Sequence, residues 1–197
     1  RAKNFSLIRL GIIGCGRIAK RMVPEVKYVS GIYVESVYNP KMDSARKFAE
    51  ANELKIYTDN LDEFFNQIDA VYIASPHGTH YGYVKQSLMA GKHVLCEKSF
   101  TVNESQAREV LALAREKKLL LTEAIWTRYM PMRKTLDSVL SSGVIGRPYM
   151  LTANLGYIIS GKERIMRPEL AGGALLDVGI YPLNFASMVF GDEVDSI

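Results

Sequence analysis

Residues Leu10–Lys20 read LGIIGCGRIAK. An apolar run meets three closely spaced glycines and then passes into a helix-like pattern. The fingerprint is Gly14-x-Gly16-x-x-Ala19, with Gly11 before it. Each position has a steric reason. Gly14 permits a tight turn, Gly16 has no Cβ to keep a pyrophosphate away from the backbone, and Ala19 lets the helix lie close to the sheet. The phosphates would then meet free N–H groups of Arg17 and Ile18 at the positive end of the helix dipole. A lone glycine motif is weak evidence. This one has a strand before it, a helix after it and a second strand (IYVESVY, 32–38) about 18 residues on.

Working outward, strand and helix signals alternate. Strands are expected at 7–13, 32–38, 55–57, 70–74, 93–96 and 119–122. Helices are expected at 17–29, 43–52, 61–65, 79–90 and 103–118. Pro24 should kink or end the first helix, and Asn103 should cap the last. This order predicts an α/β fold, a doubly wound parallel sheet over residues 1–123. After Glu123 the pattern changes. A helix at 132–142, a long strand at 148–159 (PYMLTANLGYII) and a helix at 174–189 predict the start of an α+β domain over 124–197, with a mainly antiparallel sheet that is apparently truncated. One long strand cannot cover its own faces and edges.

Composition limits the function. With 48% hydrophobic and 23% charged residues the chain can bury a core. Its net charge of +4 is scattered, with no basic stripe that would take nucleic acid. No run resembles the roughly 20 apolar residues of a membrane span. Cys15 and Cys96 have no CxxC spacing and read as two reduced thiols, which points to a cytoplasmic protein. No metal site is expected.

The second strand ends at Asn39-Pro40-Lys41, where an NAD enzyme usually shows an acidic residue and an NADP enzyme often shows arginine. Asn39 can bond ribose hydroxyls. Lys41 either reaches a 2′-phosphate as a point charge or is a solvated surface lysine. The balance leans slightly to NADP. Three later segments can carry chemistry. Ser75-Pro76-His77-Gly78-Thr79-His80 follows a buried strand, at the end of the sheet where ligands bind. His80 there is either a cofactor contact or a helix-start residue with a structural hydrogen bond. Glu97-Lys98 follows the next strand and reads as a functional pair or as a solvated loop edge. In Gly172–Pro182 (GGALLDVGIYP), Asp177 and Tyr181 lie four apart on an expected helix. The tyrosine is an acid/base candidate or a packing residue.

Taken together, GIIGCGRIA, SPHGTHY, AGKHVLCEKSF, EAIWTRYMP and GGALLDVGIYPL resemble the glucose–fructose oxidoreductase and inositol dehydrogenase family (Gfo/Idh/MocA). EAIWTRY with DVGIYPL is most similar to its dihydrodiol dehydrogenase-like branch. The resemblance implies NAD or NADP as cofactor and a small-molecule substrate. It also implies a C-terminal sheet through which the protein forms a homodimer. It maps the family's Glu-Lys-Pro motif onto Glu97 and Lys98, its acid/base residue onto Tyr181 and its aspartate onto Asp177. It places Trp126 and Arg128 near the cleft. The activity implied is hydride transfer at a secondary alcohol of a sugar, polyol or cyclic diol. A dinucleotide-binding regulator without turnover is the rival reading. Ser99 stands where the family has proline, which would loosen the backbone at Lys98. Family members also run to well over 300 residues, so the chain reads as a fragment.

Overall fold

The computed structural model describes residues 7–159 and 161–196. The chain divides into two compact units, Arg1–Glu123 and Ala124–Ile197.

The first unit alternates strand and helix. In chain order its elements are β1 (Ile8–Ile13), α1 (Arg17–Val26), β2 (Ile32–Tyr38), α2 (Met42–Ala51), β3 (Ile56–Thr58), α3 (Leu61–Asn66), β4 (Ala70–Ile73), α4 (His80–Met89), β5 (His93–Cys96), α5 (Glu104–Glu116) and β6 (Leu121–Glu123). The six strands are parallel in the order β3-β2-β1-β4-β5-β6. The chain builds outward from β1 in one direction, then returns to β1 and builds in the other. The crevice between β1 and β4 is therefore the switch point where such sheets bind ligands. Ile12, Ile13, Val37, Val71 and Ile73 are buried in the sheet, and Phe64, Val84, Leu88 and Val110 cover it from the helices. Both faces are covered, which is why the strands read as apolar runs rather than alternating ones.

Local signals account for the helix ends. The Asn103 side chain accepts from the Gln106 N–H at 3.0 Å, as expected of a cap. Pro24 lies inside α1, three residues from its C-cap Lys27, so only the last turn loses a hydrogen bond and the helix stops at Val26 instead of reaching residue 29.

One ion pair pins the register of β1 against β4. The Arg9 guanidinium bonds the Asp69 carboxylate at 2.8 and 3.1 Å, and the Arg9 backbone N–H bonds it at 2.9 Å. These bonds hold the Asp69 carboxyl down at about 2. A depressed carboxylate stabilises the fold above its unfolded value of about 3.9 and loses that contribution as the pH falls through the folded value. Both side chains are about two-fifths exposed (41% and 42%), so solvent limits the effect to about 1 kcal/mol or less. Asp69→Asn should therefore lower the urea midpoint at pH 7, and its deficit should shrink steadily between pH 4 and pH 2. A pH-independent deficit would contradict this.

In the second unit a short 3₁₀ turn at Trp126–Tyr129 leads to α6 (Met132–Ser141). Then come α7 (Glu163–Met166), a 3₁₀ turn at Pro168–Leu170, a π turn at Leu175–Gly179 and α8 (Ile180–Phe190). The strand expected at 148–159 is not formed. Its residues pair with no other strand, and no strand occurs among the described residues of this unit. A β-propensity run becomes a strand only when a neighbour takes its N–H and C=O groups. Here Tyr149 and Ile158 stay exposed (93% and 101%). Pro168–Phe190, 23 residues long, is by length and composition apolar enough to cross a membrane, with an 18-residue window of mean hydropathy 1.3, against the expectation of no such run. Left-handed Ala171 (φ 56°) and Gly173 (φ 112°) break its helical path, and it carries Asp177 and Asn184.

Candidate active site

The glycine turn sits at the carboxyl end of β1. Gly14 has φ 103°, and a Cβ there would lie 2.7 Å from the Ala74 carbonyl oxygen. Its N–H donates to Tyr38 O at 3.0 Å, which ties the turn to β2. Gly16 is the N-cap of α1 and brings no side-chain cap, so the first N–H groups of Arg17 and Ile18 are left for a ligand. A Cβ on Gly16 would meet only Ala74 O, at 3.9 Å, so its side of the loop is open. These features fit a bound pyrophosphate. Gly11 does not belong with them. Its missing Cβ would lie 2.5 Å from Phe64 Cζ and 2.6 Å from Ile68 Cδ1. It makes room for core packing instead of touching a cofactor, since it lies within β1 and not in the turn.

At the carboxyl end of β2, the Asn39 side chain accepts from the Lys41 N–H at 3.0 Å, where α2 begins. Burial pushes the Cys15 thiol of the glycine turn up, and the nearby Asn39 side chain draws it partly back down. Asn39 braces the start of α2, and Lys41 stands at its head. Glu35 lies mid-strand in β2, short of its carboxyl end.

After β4, Thr79 Oγ1 donates into the Ser75-Pro76 turn, with Ser75 Oγ and Pro76 O both at 2.7 Å. His80 is fully buried, with its ring nitrogens 2.7 Å from Ser99 O and 2.9 Å from Ser75 O. Of the two readings open in the sequence, the structural one describes this ring, because both nitrogens face backbone carbonyls and neither is exposed.

After β5, the lysine turn is braced on several sides. The Glu97 N–H donates to Ile73 O at 2.8 Å. The Tyr72 hydroxyl donates to Glu97 Oε1 at 2.6 Å, and the Lys98 N–H approaches Glu97 Oε2 at 3.3 Å. The Phe100 N–H donates to Glu123 Oε1 at 2.9 Å. Burial, reinforced by Glu97, holds the Tyr72 phenol far above its usual range, so it acts only as a donor. The Lys98–Ser99 peptide is cis although residue 99 is not proline. Tyr72 and Glu123 were missed in the sequence. A tyrosine inside a buried strand was the available signal, since its hydroxyl must find a partner. Glu123 opens EAIWTRYMP, but nothing in that stretch marked it as a brace for Phe100.

The second unit assembles its own cluster. Trp126 Nε1–H donates to the Tyr181 hydroxyl at 3.0 Å, with the rings edge to face at 6.3 Å. This bond stabilises negative charge on the phenol oxygen. Arg128 donates to Asn184 Oδ1 and to Ser187 Oγ, both at 2.5 Å, with Asp192 at 3.7 Å. Its guanidinium thus ties the Trp126–Tyr129 turn to α8. Asn184 was missed, although a lone asparagine in an apolar helix is a signal for such a partner. Asp177 lies in the π turn, 3.8 Å from Arg164. The 3.6-residue spacing had predicted an ordinary first helical turn there.

The sheet brings Gly14, Gly16, Asn39, Lys41, Ser75, Pro76, Glu97 and Lys98 to one edge, at the carboxyl ends of four parallel strands. Such an edge, with an uncapped helix behind a glycine turn, defines a dinucleotide-binding α/β protein. The chain belongs to the GFO/IDH/MocA oxidoreductase family. Residues 8–125 match its NAD-binding Rossmann domain and residues 134–197 its C-terminal domain. Human trans-1,2-dihydrobenzene-1,2-diol dehydrogenase is 35% identical over 190 residues, covering 94% of this chain and 57% of that protein. D-xylose 1-dehydrogenase (NADP(+)) of Hypocrea jecorina is 41% identical over 128 residues, covering 60% of this chain and 33% of that protein. A 3-ketoreductase from Actinomadura kijaniata, solved with NADP and TDP-benzene, superposes with a TM-score of 0.80 at 31% identity, covering 94% of this chain and 58% of that one. Solved forms of that ketoreductase include variants at one lysine and at one tyrosine. The chain thus spans a little over half the length of the dihydrodiol dehydrogenase it matches.

Proposed function

We propose that the protein is an NAD(P)-dependent oxidoreductase. It would transfer a hydride between nicotinamide and a secondary alcohol or carbonyl of a sugar, polyol or cyclic diol. The observation that carries this reading is a braced lysine turn on the same sheet edge as an uncapped glycine turn. Binding alone needs the glycine turn, and only chemistry gives a use to the lysine beside it.

The nicotinamide ring, when bound, supplies or accepts the hydride. In the oxidation direction the carbinol C–H leaves as hydride and its O–H proton passes to Tyr181. Lys98 holds the substrate oxygen. Trp126 adds a stabilising donor at the Tyr181 phenol oxygen, and Asp177 orients the substrate or Lys98. The reading is supported by the ketoreductase variants, whose lysine and tyrosine are spaced nearly as Lys98 and Tyr181 are here. NADP is the preferred cofactor in this proposal, because Asn39 and Lys41 stand where a carboxylate would repel a 2′-phosphate. Homodimerisation, through a C-terminal sheet of the full-length protein that the described residues do not form, and a cytoplasmic setting complete the reading.

The test is a fluorescence titration of the intact protein with NADPH and NADH, followed by a turnover screen over aldoses, inositols and cyclic diols. Tighter NADPH binding and turnover of at least one class are expected. Tight binding with no turnover across the screen would instead favour a nucleotide-binding regulator.

A further inference from the structure

His80 is a fully buried ionisable ring that the proposed proton transfer does not use. It stands at the start of α4, between the two loops that follow β4 and β5. Nδ1 lies 2.7 Å from the Ser99 carbonyl oxygen, and Nε2 lies 2.9 Å from the Ser75 carbonyl oxygen. The first oxygen belongs to the residue after Lys98. The second belongs to the Ser75-Pro76 turn, at the switch point of the sheet. Few side chains can span two acceptors in this way, because few carry nitrogens on opposite edges of one rigid ring.

The surroundings define what the ring can do. Burial favours the neutral form, while the two carbonyls and Glu97 favour the charged one and Lys98 opposes it. His77 packs edge-on at 5.7 Å. A neutral ring donates to one carbonyl and an imidazolium donates to both. In either form the ring fills the space between the loops. Tyr72 and Glu123 brace the lysine turn through Glu97 and Phe100, but among these named braces only His80 ties it to the Ser75 loop.

We propose that His80 is a positioning residue: by bridging the Ser75 and Ser99 carbonyls it sets where the Lys98 ammonium stands relative to the loop at the cofactor edge. This rests on the assignment of Lys98 to the chemistry. A misplacement of about 1 Å at a reacting group can cost on the order of 100-fold in rate, so the bridge should be visible in turnover.

The test uses His80→Phe, His80→Gln and Lys98→Met in the intact protein, with kcat expressed per folded molecule. His80→Phe keeps an aromatic ring but removes both ring nitrogens that face the carbonyls. It should lower kcat by about 10–100-fold, change the substrate KM far less, and move the limb of the kcat–pH profile that depends on Lys98. His80→Gln, whose amide can donate to one carbonyl, should recover part of the loss. Folded His80→Phe with unchanged kcat and an unmoved pH limb would overturn the bridge. If His80→Phe does not fold, His80→Gln carries the kinetic arm. Spectra of the cofactor-free wild type labelled with ¹⁵N-histidine give an arm that needs no activity. There the His80 ring N–H should exchange slowly with water, and fast exchange would also overturn the bridge. Normal turnover by Lys98→Met would instead sink the lysine assignment, and the bridge's role in catalysis with it.

Discussion

Lys98→Met and Tyr181→Phe should each lower kcat by about 10²–10⁴-fold at saturating substrate, the usual range for a lost acid, base or charge partner. Methionine keeps most of the lysine's length and apolar stem but removes the ammonium. In the proposed reaction the substrate oxygen would then lose its cation. Phenylalanine keeps the ring packing of Tyr181 but removes the oxygen that accepts the Trp126 N–H at 3.0 Å. Neither change touches the glycine turn, so reduced-cofactor affinity should stay close to wild type. If the proposed roles hold, the two variants should also be non-additive, with the double variant little worse than the poorer single one. Steady-state kinetics with fluorescence titration would check all of this. Near-normal turnover by both single variants would remove these roles.

Gly14→Ala should abolish tight cofactor binding. Two costs combine. At φ 103° an L-residue pays about 1–3 kcal/mol of backbone strain. The added Cβ would also sit 2.7 Å from Ala74 O and 2.9 Å from Ala74 C. Those atoms belong to the backbone at the end of β4 and cannot swing aside as a side-chain tip can. The turn or the β4 loop must move, and both lie at the pyrophosphate edge. If only the strain were transmitted to binding, affinity would fall by about 5-fold to 100-fold, since 1.4 kcal/mol is one decade. Gly82→Ala is the control. A Cβ there meets nothing within 4 Å, and the site is inside α4. That change should raise stability by roughly 0.5–1 kcal/mol and leave affinity unchanged. Titration with reduced cofactor, alongside melting of both variants, would separate loop geometry from general stability.

The first unit was largely legible in the sequence because its signals are local. Periodicity, turn glycines and caps act within a few residues, so β1, the glycine turn and α5 could be placed from their own neighbourhoods. The long strand at 148–159 failed for the opposite reason. A strand is a relation between two segments, and a segment's composition does not supply its partner. The site divides in the same way. Gly14, Gly16 and Lys98 could be singled out from motif and position. Gly11 looked like part of the motif, yet the Phe64 ring, more than fifty residues away in the chain, shows its role to be packing. His80 had two readings, and two carbonyls from separate loops decided between them. Tyr72, Glu123 and Asn184 became visible only as partners.

What the sequence determined by itself was the class of fold and the chemistry on offer: alternating elements, a turn that must be glycine, a lysine after a strand and a tyrosine in a helix. Tertiary structure decided which of those residues are committed to holding others. Arg128 is spent on Asn184 and Ser187, Asn39 braces Lys41, and His80 links two loops. A hydrogen-bonding group's role depends on the partner that reaches it, and those partners come from distant parts of the chain.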